Sequence, residues 1–73
     1  MTDASYYDLL GVTRNAPPEV IRAAYKALAQ KYHPDKNPDD PEAARMMAAI
    51  NAAIATLMDQ DRRRAYDEWL DSQ

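Results

Sequence analysis

Apolar positions along this chain recur at three- and four-residue intervals, and nowhere do they alternate long enough to suggest a strand. The pattern predicts four helical segments punctuated by proline, glycine and aspartate. The first is short, about residues 6–10. Ser5 and Asp8 have the spacing of a capping box, and Gly11 stands where a helix commonly ends. Tyr6, Tyr7, Leu9 and Leu10 are too many apolar groups for one face of so short a helix, so neighbouring elements must clamp some of them.

The second segment opens at Pro17-Pro18-Glu19, because a proline in the first turn forfeits no hydrogen bond. Ile21, Ala24, Tyr25, Leu28 and Tyr32 form its apolar stripe, with Arg22, Lys26 and Lys31 off it. His33-Pro34 stops the helix, since proline disfavours helical geometry in the residue before it. Asp35-Lys36-Asn37-Pro38-Asp39-Asp40 reads as a loop of turn formers. Asp40, Pro41 and Glu42 then supply a capping side chain, a first-turn proline and an acid at the positive end of the next dipole. That third helix carries Met47, Ile50, Ile54 and Leu57 on one face and alanine around much of the rest. Asp59 can cap a fourth, in which Arg62, Arg63 and Arg64 precede Tyr66, Trp69 and Leu70. Its acidic end, Asp67, Glu68 and Asp71, opposes the dipole and predicts fraying beyond Trp69.

Two long helices joined by a short polar loop predict an antiparallel hairpin. The short helices should cover its open sides through Tyr7, Leu10, Tyr66 and Trp69, with Met46, Met47 and Met58 filling irregular gaps. The fold class is all-α.

Composition narrows the function. At 73 residues the chain is a single domain, residues 1–73 with a core over about 5–70. A chain of this size buries only about 60–65% of its unfolded surface. That leaves little room for both a core and an enclosed pocket, which favours a binding module over an enzyme. The absence of cysteine excludes disulfides, Cys-ligated zinc or iron–sulfur sites and thiol nucleophiles. Nine basic against twelve acidic residues give −3, which does not suit a general polyanion binder. Gly11 is the one glycine, so a glycine-rich phosphate loop is ruled out, and no cofactor is expected. No apolar run approaches the roughly 20 residues of a membrane span. The N-terminus lacks a basic region followed by an apolar one. The expectation is a cytoplasmic monomer without membrane contact.

His33-Pro34-Asp35 is the feature to weigh. By itself it is a helix stop followed by a turn. Two potential metal ligands without cysteine or a second histidine make a poor site, and catalysis needs a base with a positioned partner and a pocket. Its context says more. Tyr-Tyr-Asp-Leu-Leu-Gly-Val at 6–12, Ile-Arg-Ala-Ala-Tyr-Lys-Ala-Leu-Ala-Gln-Lys-Tyr-His-Pro-Asp-Lys-Asn at 21–37 and Asp-Arg-Arg-Arg-Ala-Tyr-Asp at 61–67 stand in order and at fixed spacing. Together they resemble the J domain of DnaJ-type (heat-shock 40) cochaperones, over about Ser5 to Leu70.

The resemblance implies the J-domain fold and a partner rather than a reaction. J domains bind the nucleotide-binding domain of a DnaK-type heat-shock chaperone near its interdomain linker and stimulate its ATP hydrolysis. His33, Pro34 and Asp35 match the signature loop. On that basis Asp35 engages an arginine of the partner, Pro34 holds the loop's shape, and His33 fixes the loop and contacts the partner without an acid–base role. The basic side of helix two is the second implied site, where Arg22, Tyr25, Lys26 and Lys36 match family positions. Residues 22–36 hold four basic side chains against one acid, which in a generic helix would be only a solvated face. Tyr25 lies beside the apolar stripe and could be core, contact or both.

Departures from the family pattern are few. Ala27 stands where many relatives carry a further base, which predicts a weaker basic patch. Met47 replaces a usual phenylalanine, and Met46 and Ala48 stand where lysine is frequent. Pro17 occupies a usual Ser or Thr cap position, at a loss of about 1 kcal/mol. These substitutions predict a softer core. The arginine matching Arg63 helps tie helix four down in the family. Two rival readings compete: a small helical nucleic-acid-binding module using Arg62 to Arg64 and helix two, or a J-like scaffold without stimulatory activity. Met1 fits a natural N-terminus, and an end just after helix four fits the N-terminal part of a longer protein.

Overall fold

The computed structural model describes residues 5–73; Met1, and the expectation attached to it, lie outside the described residues. Ser5 Oγ accepts from the Asp8 N–H at 3.2 Å while the Asp8 carboxylate accepts from the Ser5 N–H at 3.0 Å. This is the predicted capping box, and it opens α1, Tyr6–Leu10. Gly11 ends that helix at φ 72°, a left-handed conformation that glycine adopts without strain. α2 spans Pro18–Lys31, with Pro17 at its cap position and no side-chain cap, as expected. α3 spans Pro41–Leu57, its first turn capped by Asp40, whose Oδ1 accepts from the N–H groups of Glu42 and Ala43. α4 spans Gln60–Asp71, capped in the same way by Asp59. The described residues contain no strand, so the all-helical class holds.

α2 and α3 pack together as the antiparallel pair, α1 packs on both, and α4 packs on α3. Ile21 of α2 and Ile50 of α3 are fully buried, and Tyr7, Leu10, Ala16, Ala53 and Leu57 complete the same cluster. Each buried isoleucine or leucine contributes about 1.5–3 kcal/mol relative to exposure.

The centre of α3's buried face lies off the predicted line. Ala43, Ile50, Ala53 and Leu57 are buried, whereas Met47 and Ile54 are only half-buried at its edge. Alanine has no side chain to hold helices apart, so a small residue can sit at the closest approach and a larger one beside it. Ala16, in the loop just before α2, is also buried and carried no periodic signal.

α4 departs from expectation in two ways. It has no fully buried residue, and it covers the hairpin through Tyr66 and Leu70, which pack against the core, whereas Trp69 remains 55% exposed. Its ring stacks on Tyr66 at 5.8 Å, and Tyr66 stacks in turn on Tyr6 at 4.7 Å. Met58 is likewise largely exposed rather than a gap filler, unlike Met46 and Met47, which pack against the core. The helix also continues past Trp69 to Asp71. Arg14 supplies the reason: its guanidinium donates to Asp71 Oδ1 at 2.7 Å and to the Asp67 carbonyl at 2.8 Å. A cation at the negative end of the dipole offsets the acids that alone predicted fraying.

Polar contacts hold α4 where apolar ones are few. Arg63 donates from Nε to the Tyr7 hydroxyl at 3.0 Å and from Nη2 to the carbonyls of Arg14 and Ala16 at 2.9 and 2.8 Å. Tyr7 donates in turn to Asp67 at 2.6 Å. The family role carried over to Arg63, tying helix four down, matches this geometry. Arg62 and Arg64 pair within α4 with Asp59 and Asp61.

Candidate functional site

The loop after α2 is built by a helix that stops too soon. Tyr32 caps α2, its N–H donating to the Leu28 carbonyl, and Pro34 prevents another turn. The chain then turns about His33. The N–H groups of Lys36 and Asn37 both donate to the His33 carbonyl at 3.0 Å. The Asp35 N–H donates to His33 Nδ1 at 3.1 Å, so in the neutral imidazole the ring proton resides on Nε2. Asn37 adds its side-chain amide, donating to the carbonyls of Lys31 at 2.9 Å and His33 at 3.0 Å. Asp39, at φ 58°, takes the left-handed step that brings the chain round to α3.

The two ionisable side chains of the signature are thereby turned outward. The Asp35 side chain is 92% exposed and His33 52% exposed, with His33 Nδ1 3.7 Å from Asp35 Oδ2. The imidazole is engaged with the backbone through Nδ1, leaving Nε2–H as a donor to something else. The carboxylate has no arginine or lysine partner among the described residues. Pro34 borders an open groove toward α3 whose walls include Tyr32, Pro38, Ala44, Met47 and Ala48.

Arg22 and Lys26 are exposed one turn apart on α2, with Lys31 at its end and Lys36 exposed in the loop. None of the four forms an ion pair among the described residues. Arg22 and Lys26 share one face, whereas Lys31 lies about 14 Å from Arg22 along the helix axis and about half a turn round it. Lys31 leans over the Tyr32 ring at 5.4 Å. Tyr25 faces α3: half-buried, it donates through its hydroxyl to Asn51 Oδ1 at 3.1 Å. It therefore joins the two helices besides bordering the basic face. Ala27 is exposed, with no charge to add.

Asn37 is the residue of this site that the sequence pattern did not single out. Its signal was there: an asparagine within a turn, placed where its amide can take the last carbonyls of a helix. The residue names alone could not say which carbonyls it reaches.

Comparison with known proteins gives a consistent answer. The family model described as DnaJ domain matches residues 5–67. A chaperone protein DnaJ from a Nitratiruptor species is 51% identical over 69 residues, covering 94% of this chain and 18% of the relative. Its counterpart from Carboxydothermus hydrogenoformans is 53% identical over 64 residues, covering 88% and 17%. The chain thus spans less than a fifth of the length of these relatives. Among solved structures, the J-Trx1 fragment of ERdj5 superposes with a TM-score of 0.84 at 46% identity, over 89% of this chain and 32% of that one. ERdj5 form II superposes with a TM-score of 0.85 at 45% identity, over 92% of this chain and 9% of that one.

Proposed function

The chain belongs to the DnaJ domain family, and from that premise we propose that it is a cochaperone module that binds a DnaK-type heat-shock chaperone and stimulates its ATP hydrolysis. In this reading the loop His33-Pro34-Asp35 meets the partner's nucleotide-binding domain near the interdomain linker. The unpaired stripe of Arg22, Lys26 and Lys36 steers and holds an acidic surface of that domain. The observation that carries it is how the loop uses its own groups. The N–H groups of Asp35, Lys36 and Asn37 are met within the loop, while the Asp35 carboxylate and the His33 Nε2–H have no hydrogen-bond partner among the described residues. A carboxylate so presented accepts charge-assisted hydrogen bonds from a guanidinium, about twice as strong as neutral ones.

The module is not itself an enzyme in this reading: the hydrolysed nucleotide lies on the partner. No helix among the described residues is long and apolar enough to cross a membrane. A reducing compartment, the cytoplasm, suits a chain without cysteine. The nucleic-acid alternative is disfavoured by a particular contact set. Arg63 is tied to Tyr7 and two carbonyls, and the exposed Arg62 and Arg64 each lie beside a carboxylate, Asp59 and Asp61, that would repel a phosphate.

Single-turnover ATP hydrolysis by a DnaK-type chaperone, with and without the 73-residue chain, tests the proposal. Acceleration that saturates with added chain is the expected result. A rate unchanged at saturating chain leaves a scaffold with the fold and no activity.

A further inference from the structure

Residues 33–36 are exposed, and yet their backbone is hydrogen-bonded within the loop. In a continuing helix the Lys31 carbonyl would accept from the N–H four residues on, that of Asp35. Pro34 breaks that register, and the Asp35 N–H is taken by His33 Nδ1. The Lys31 carbonyl is thereby left at the helix end without its usual donor. The Asn37 amide, six residues on, takes that place at 2.9 Å and gives its second proton to the His33 carbonyl at 3.0 Å. Asn37 is half-buried, while every residue from His33 to Lys36 is exposed.

We propose that Asn37 is the positioning residue of the His-Pro-Asp loop: its amide fastens the loop to the last carbonyl of α2 and so fixes Asp35 and His33 relative to the basic stripe on that helix. The proposal deepens the cochaperone reading and rests on it. Lys31 closes the same helix that carries Arg22 and Lys26, so one side chain links the surface that docks to the group that activates. The chemistry demands an amide at this length. Aspartate matches the shape but has no proton to give and would aim a carboxylate at two carbonyl oxygens. Alanine leaves both carbonyls to water and the loop to wander.

The separation of docking from activation gives the test. Asn37→Ala and Asn37→Asp, made in the 73-residue chain, keep the basic stripe and remove the fastening. Amide hydrogen exchange at Asp35 and Lys36 should quicken about tenfold in both, while exchange at Ile21 and Ile50 stays as in the parent. Ring-nitrogen NMR of neutral His33 should show the excess of the Nε2–H tautomer falling toward that of an unconstrained imidazole. Titrated against a DnaK-type chaperone, both variants should lower the maximal stimulation about tenfold and move the half-saturating concentration by less than about threefold. Unchanged exchange at Asp35, full maximal stimulation, or a loss confined to affinity would overturn the assignment. Should the parent chain fail to stimulate at all, the cochaperone reading falls, and the exchange and tautomer measurements still decide whether Asn37 holds the loop.

Discussion

Arg63 reaches the Tyr7 hydroxyl across fifty-six positions of sequence, Nε to Oη at 3.0 Å, and that hydroxyl passes its own proton to Asp67 at 2.6 Å. One phenol thereby joins α1 to two points of α4, one turn apart. The guanidinium is also 5.4 Å from the Tyr7 ring centre, so the contact has a cation–π component. Since α4 buries no residue, these bonds take the role that an apolar seam has between α2 and α3.

Removing them should therefore loosen the molecule measurably. Tyr7→Phe keeps the buried ring and deletes both hydroxyl bonds, for an expected loss of about 1–2 kcal/mol. Arg63→Met keeps the stem, leaves two carbonyls without their donor and leaves the phenol bonded to Asp67 alone, for about 2–3 kcal/mol. Each kcal/mol lowers the melting temperature of a domain this size by about 4–8 °C. Arg64→Met, which breaks only an exposed pair, should melt within about 0.5 kcal/mol of the parent. Equal melting of the Arg63 and Arg64 variants would show that the network contributes nothing.

The same network predicts two pH limbs. Burial, and next the hydrogen bond to Asp67, push the Tyr7 phenol above its usual value. A raised folded-state value stabilises fully below the unfolded value, about pH 10, and that stability is lost as pH rises through the folded one. Tyr7→Phe should flatten this alkaline limb. Conversely, the hydrogen bond from Arg14 holds the Asp71 carboxyl below the usual carboxylate range. Its contribution is present above about pH 3.9 and disappears as pH falls through the folded value. Asp71 is mostly exposed, so the effect is local fraying of α4's last turn, visible as a loss of amide protection at Ser72 in acid that Asp71→Asn no longer shows.

At the loop, function and stability should separate. His33→Gln and Asp35→Asn are expected to abolish ATPase stimulation while shifting stability by less than about 0.5 kcal/mol, because both side chains are mostly exposed. Retained stimulation by either variant in the single-turnover assay would remove the loop from the mechanism.

Docking should be electrostatic and local to α2. Lys26→Glu reverses a charge with no ion pair among the described residues; Arg64→Glu reverses one that sits 3.1 Å from Asp61. The first should weaken partner binding more, and binding by the parent should fall with salt as screening shortens to about 8–10 Å. Calorimetric titration at two salt concentrations distinguishes the outcomes. Equal effects of the two reversals would take the docking surface off α2.

A module that activates a partner need not hold a client. Among the described residues, Val20, Met58 and Trp69 are the exposed large apolar side chains, while Met46 and Met47 are packed against the core. Scattered residues of this kind do not make a continuous patch. Light scattering from a thermally aggregating protein, with the chain present and chaperone and ATP absent, should rise unabated. Clear suppression at stoichiometric amounts would reveal a client surface.

The helices and their caps were legible because each depends on residues a few positions apart. Ser5 with Asp8, Asp40 with Ala43, and Asp59 with Arg62 all lie within one turn. What could not be read was set by contacts across the chain. Arg14 stands in a loop with no periodic signature, yet it lengthens α4 because folding brings it to Asp71, fifty-seven positions away. The buried alanines 16, 43 and 53 were hidden for another reason: periodicity weights large side chains, and closeness between helices favours small ones. At the loop, the family pattern supplied His33, Pro34 and Asp35. The function of Asn37 came only from the two carbonyls it meets.

Trp69 carries the chain's entire indole fluorescence. It sits one turn after Tyr66, at the end of the molecule where Asp71 meets Arg14, just before α2 begins. The loop lies past the opposite end of α2, whose fourteen residues rise about 21 Å. Emission is therefore an optical gauge of one pole only. It stays dark to events at His33 and Asp35 and responds when the Tyr66 stack comes apart. Along a denaturant gradient, emission and far-ultraviolet dichroism watch different parts of the chain. A gap between their midpoints measures how far ahead of the hairpin the last helix lets go.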